Sequence, residues 1–239
     1  ALAAGIGLCA PLLSPVRRMI ATSTPLDPDS PIDMSGLCIV LAVIGFLFST
    51  YVISPEPADT GGNASVVELA VQFVAEIAFA YILVGFTITR NFKQATARLG
   101  LNRPTANTVG VAIGLVVVAF LVVFVGGALT YLLQPDVSEE IDRITKEITS
   151  DVQNPIGAAL FGLGSGAGEE LLLRGAIQPR YGLLTTALLW SLLHSQYGIS
   201  FVLLSIFVVG VILGLERQYI GTTAAAITHA IFNMIAVLL

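Results

Sequence analysis

Glu169, Glu170, Arg174, His194, His229 and Asn233 are the residues of this chain whose types and spacing could do chemistry. Each is ionisable or strongly polar, and each lies in an otherwise apolar stretch. Both histidines of the protein are among them. A buried carboxylate beside a histidine can activate water as a general base. A second histidine and an asparagine amide can donate hydrogen bonds to a developing oxyanion. Together these groups are the parts needed to hydrolyse an amide bond.

Spacing separates their roles. Glu170 and Arg174 stand at i, i+4, so on a helix they share a face and can pair as ions. Glu169 is turned about 100° from Glu170 and addresses a different neighbour. His229 and Asn233, again i, i+4, project together. Other chemistries use the same residue types. Glu169, His194 and His229 would supply the two nitrogens and one oxygen of a catalytic zinc, although no HExxH helix is present. Buried Glu and His also line proton or ion paths, or simply hydrogen-bond helices together. A serine or cysteine nucleophile is not indicated: GxSxG is absent and neither Cys9 nor Cys38 is near a histidine in sequence. Both cysteines read as buried thiols without metal spacing.

The elements that must position these residues are membrane helices. Apolar residues make up 55% of the chain, charged residues 11%, and the mean hydropathy is +0.87. An average soluble domain has about 25% charged residues, so this chain cannot cover a water-facing surface. Spans of about 20 apolar residues are expected at Ala1–Val16 (short), Gly36–Ile53, Val66–Thr89 and Asn107–Leu133. Four more follow at Pro155–Ile177, Leu183–Gln196, Ile199–Leu215 and Thr222–Leu239. The runs lack the period-two alternation of a barrel. The expected fold is all-α: a polytopic protein of about eight transmembrane helices with its catalytic core in the last four. Residues 1–239 read as one membrane domain, with N-terminal helices and an interfacial segment over 1–150 and the core over 151–239. The first segment does not read as a signal peptide, because Arg17 and Arg18 follow its apolar part. The chain opens on Ala1, so its native start is expected to be missing or processed.

Loop charges set an orientation. The loop after the third span holds Arg90, Lys93, Arg98 and Arg103 with no acid, which places it in the cytoplasm. Arg17, Arg18, the Arg174/Arg180 turn and Arg217 fall on the same side. Glu56, Asp59 and Asp136–Asp151 fall outside, as do both termini. Val137–Thr149 resembles an interfacial amphipathic helix with Asp142–Lys146 and Glu139–Arg143 pairs; the expected role is a solvated connector, with a lid or substrate guide as the alternative. Thr22–Ser35 reads as a loop. Counting about 1.5 Å per residue from inner turns at Pro179–Gly182 and Gln218–Gly221 puts Glu169 about 15 Å deep, His194 about 18, His229 about 12 and Asn233 about 18. The expectation is one polar cavity between the cytoplasmic face and the midplane, opening to the cytoplasm, with Gln178, Arg180 and Gln196 near its mouth. Gly162/Gly166 and Gly164/Gly168 form small-xxx-small pairs suited to close helix packing. Glu68 and Glu76 are expected in hydrogen-bonded packing, with a role in substrate entry as the alternative. Scattered basic residues make neither a nucleic-acid surface nor a polybasic lipid patch, so the expected partners are the bilayer and a peptide or membrane protein.

The motifs also resemble a known family. Glu169-Glu170-Leu171-Leu172-Leu173-Arg174 matches EExxxR, Trp190-Ser191-Leu192-Leu193-His194 is similar to FxxxH, and His229-Ala230-Ile231-Phe232-Asn233 matches HxxxN. Their order and separation over Pro155–Leu239 resemble the CPBP family of intramembrane proteases (CAAX proteases and bacteriocin-processing enzymes, also called ABI). The resemblance implies a glutamate-type protease without metal or cofactor. Glu169 and His194 would activate water, His229 and Asn233 would form the oxyanion site, and Glu170 and Arg174 would hold the architecture. Trp190 stands where the family often has Phe, implying an altered pocket shape. The substrate would be a prenylated CAAX protein, a leader peptide or another membrane protein, cut in the plasma or inner membrane if the source is prokaryotic. Some members of the family have immunity, sorting or scaffold roles, so the alternative is a non-catalytic subunit that binds a membrane-protein partner.

Overall fold

The computed structural model describes residues 5–6, 9–22, 24–58 and 65–239. The chain is all-α and polytopic, and among the described residues there is no strand beyond an isolated bridge between Phe86 and Arg90. After a short turn at Ala10–Leu12, the helices are α1 (Ser14–Ala21), α2 (Pro31–Ile53), α3 (Val66–Leu83), α4 (Phe92–Arg98) and α5 (Ala106–Leu133). Then follow α6 (Pro135–Thr149), α7 (Pro155–Tyr181), α8 (Leu183–Leu192), α9 (Phe201–Tyr219) and α10 (Thr222–Leu238). By length and apolarity α2, α3, α5, α7 and α9 can cross a membrane, and α8 and α10 are shorter apolar helices. Phe46, Val117, Leu121 and Phe124 are exposed on the rim, where lipid would cover them. The central pair is α7 and α9, whose apolar stretches are 44% buried, against 11% for α3.

Local sequence sets the ends. Ser30 accepts from the Asp33 amide and Pro31 occupies the first turn, so α2 begins inside the segment expected as loop. Ser65 and Glu68 form a reciprocal capping box that starts α3, which accounts for exposed Glu68 at the edge of an apolar helix. Glycine at positive φ ends two helices sharply: Gly182 (φ 88°) between α7 and α8, and Gly221 (φ 133°) between α9 and α10.

Several expectations change. The span at Ala1–Val16 falls partly outside the described residues. Its described end leads into α1, whose eight residues rise only about 12 Å. The third helix stops at Leu83, not Thr89, because Gly85 (φ 84°) and Thr87 (φ 66°) turn the chain there. In α6, Ile141 and Ile144 are buried as the amphipathic pattern requires. Arg143, however, is braced by Glu140 and Glu147, at 2.7 Å each, and not by Glu139. Those hydrogen bonds hold the Glu140 carboxyl below its ordinary range. Cys9 is exposed and Cys38 half-buried, because both lie on peripheral segments.

Candidate active site

The glycine run decides the site's shape. Gly162–Gly168 and Leu171–Ile177 are π-helical, with Glu169 and Glu170 between them. Such widened turns are rare and frequent at functional sites. A Cβ on Gly162 would lie 2.4 Å from the Ala230 carbonyl oxygen, and one on Gly166 would lie 2.8 Å from the Ala230 amide nitrogen. The backbones of α7 and α10 therefore touch, which carries His229 and Asn233 beside Glu169.

Glu169, His194, His229 and Asn233 line one cavity of about 260 Å³ together with Trp190 and Ser165. Trp190 Nε1 donates to Glu169 Oε2 at 2.5 Å. His194 Nδ1 lies 2.9 Å from the Trp190 carbonyl oxygen, so that nitrogen is the donor and Nε2 is left free. His229 Nδ1 sits 3.0 Å from Glu170 Oε1, which likewise leaves its Nε2 free. Asn233 Nδ2 donates to Ser165 Oγ at 3.0 Å.

Glu170 and Arg174 are completely buried and pair at 3.3 Å, in a contact too poorly aligned to be a hydrogen bond. Arg174 Nη2 donates to the Gly210 carbonyl, its guanidinium lies 4.9 Å from the Trp190 ring centroid, and its own carbonyl accepts from Arg217 Nε. Glu170 thus does more than pair with Arg174: it also fixes His229. Nothing in the spacing announced that contact, because it crosses from α7 to α10.

A second cavity of about 330 Å³ opens between α3 and α8 and shares Gln72, Glu169, Trp190, His194 and Gln196 with the first. Glu76 lines it, accepting from Gln72 Nε2 at 2.9 Å with its other oxygen unpartnered. Ser165, Tyr197, Gln72 and Glu76 are site residues that motif reading missed. Gln196 lines the cavities as expected. Gln178 instead donates to the Gly214 carbonyl, and Arg180 pairs with Asp33. Among the described residues no group of three His, Cys, Asp or Glu side chains could hold a metal.

The depth reckoning also changes. Helix α8 ends at Leu192 and the chain turns through Ser195–Tyr197, so His194 stands at a helix end and not within one. The first cavity reaches α6 through Ile148, and no residue of 84–105 or 217–222 lines either cavity. The basic loop instead packs against the start of α10, where Thr222 Oγ1 donates to the Leu99 carbonyl. Both cavities therefore lie towards the α6 face, away from the basic loops.

Residues 151–235 match the family model described as type II CAAX prenyl endopeptidase Rce1-like. No curated protein and no solved structure matches the chain. The matched segment contains Glu169, His194, His229 and Asn233. Over residues 151–235 the chain is therefore similar to the type II CAAX prenyl endopeptidase Rce1-like family.

Proposed function

We propose that the protein is an intramembrane endopeptidase that hydrolyses a peptide bond of a membrane-associated polypeptide with water activated by Glu169 and His194. The single observation that carries this reading is the convergence of Glu169, His194, His229 and Asn233 on one cavity within an apolar helical bundle. With Oε2 held by Trp190, the free oxygen of Glu169 takes a proton from water, and His194 Nε2 orients that water. The water oxygen bonds to the scissile carbonyl carbon. Carrying protons on both ring nitrogens, with Nδ1–H held by Glu170, His229 donates from Nε2, and the Asn233 amide, turning from Ser165, donates beside it to the oxyanion. The C–N bond then breaks, and Glu169 returns its proton to the leaving amine. One water is consumed, and one carboxylate and one amine are formed.

Orientation follows from charge. Arg90, Lys93, Arg98 and Arg103 occupy one short loop, and such loops stay cytoplasmic. We therefore place the basic face inside and the α6 face outside, which revises the cytoplasmic opening. The substrate then reaches Glu169 from the α6 face or sideways between α3 and α8. A leader peptide or membrane protein fits that route better than a cytoplasmic CAAX tail.

The test is cleavage by the purified protein in lipid vesicles, offered a farnesylated CAAX peptide and, separately, a single-span protein with its leader. Cleavage that Glu169→Ala abolishes supports the reading. A folded wild type that binds either probe without cutting it would favour the non-catalytic subunit instead.

A further inference from the structure

We propose that Trp190 is the positioning residue of the water-activating pair, holding Glu169 with its indole and His194 with its backbone. This rests on Glu169 acting as the base. Among the described residues, Trp190 Nε1 is the hydrogen-bond partner of Glu169, at 2.5 Å. The same residue's carbonyl oxygen stands 2.9 Å from His194 Nδ1. One residue thus fixes one oxygen of the carboxylate and one nitrogen of the imidazole. Glu169's other oxygen and His194 Nε2 remain to meet water.

The indole can do this because it is itself immobile. It is 2% exposed. The Arg174 guanidinium covers it at 4.9 Å from the ring centroid, a cation–π contact. The rings of His194 and His229 stand edge-on to it at 4.9 and 5.3 Å. Beneath it lies Gly210, where a Cβ would come within 2.8 Å of Trp190 Cε3. Gly210 also accepts from Arg174, so one glycine seats both the indole and the cation above it. The buried Glu170–Arg174 pair, which touches no reacting atom itself, therefore acts on Glu169 through Trp190.

The chemistry requires indole and not merely an aromatic ring. Indole Nε1–H is a donor only, so it exchanges no proton with the base. A hydrogen bond to a carboxylate is the stronger kind. A phenyl ring would fill only part of that space, offer no donor, and leave the Glu169 side chain free to rotate about three bonds.

The protein has one tryptophan, so indole spectroscopy reads this bond alone. The experiment records the hydrogen-bond-sensitive indole band by ultraviolet resonance Raman on protein in nanodiscs. Wild type should show a strongly bonded N–H, and Glu169→Ala should move the band to the weakly bonded position. An unchanged band overturns the proposal. In parallel, Trp190→Phe should slow Glu169-dependent cleavage by ~10–100-fold, the worth of a hydrogen bond to a charged group, while thermal unfolding remains cooperative. Full activity in folded Trp190→Phe also overturns it. Gly210→Ala, which moves the indole without altering Glu169, should reproduce both the band shift and the loss. Retention of both would contradict the seating. If wild type cuts nothing, the protease reading fails, while the Raman comparison still decides whether Trp190 holds Glu169.

Discussion

Replacing Arg174 with methionine isolates the energetics of the site's foundation. The Glu170 and Arg174 side chains have no exposed surface and stand 3.3 Å apart. Removing the cation leaves a buried carboxylate whose remaining partner is His229. Breaking such a pair costs ~3–5 kcal/mol. The His229 hydrogen bond stays in place and compensates in part, so the low end, ~3 kcal/mol, is expected, or on the order of 6–12 °C in unfolding temperature for a chain of this length. The double variant Glu170→Gln/Arg174→Met removes both charges and keeps an acceptor for His229. It should recover most of the loss, because the pair itself contributes little once desolvation is counted. The assay is thermal unfolding in detergent micelles, followed by circular dichroism, across the complete double-mutant cycle. A single variant within about 2 °C of wild type, or a double variant as unstable as the sum of the singles, would refute the reasoning.

Other changes test neighbouring links. Gly166→Val drives a side chain into the Ala230 backbone, which cannot yield. It should cost at least ~1–3 kcal/mol and separate α10 from α7, read as lost stability together with lost cleavage. Asn233→Ala should lower turnover by about 10²–10³ by removing one oxyanion donor, whereas Ser165→Ala, which only frees that amide, should cut near the wild-type rate; both are read with the farnesylated peptide or the leader-bearing protein, whichever is cut. For orientation, Gln196→Cys in a background without Cys9 and Cys38 should react with an impermeant maleimide added outside cells. Labelling of that position only in inverted vesicles would reverse the topology.

Motif spacing made the chemical residues legible. Glu169, His194, His229 and Asn233 meet at one cavity, and the i, i+4 rule put Glu170 beside Arg174 even though the turn there is π-helical. Contacts between helices were not legible. The Glu170–His229 bond and the Trp190–Glu169 bond depend on how closely α7, α8 and α10 approach, which the glycines permit but do not specify. Depth failed because a constant rise per residue assumes a continuous helix, and α8 ends just before His194. Glu68 was an unexplained charge until the capping box with Ser65 appeared. Glu76 became interpretable only when its cavity with Glu169 was seen.

The central claim is that Glu169 makes this protein cut polypeptides in the membrane. The most direct measurement compares new peptide termini in membranes carrying wild-type protein with those carrying Glu169→Ala at matched expression. The account predicts a set of termini present only with wild type, clustered in or next to the membrane-embedded segments of their substrates. Identical sets from two folded proteins, in membranes that also contain a substrate cut by the purified enzyme, would contradict it.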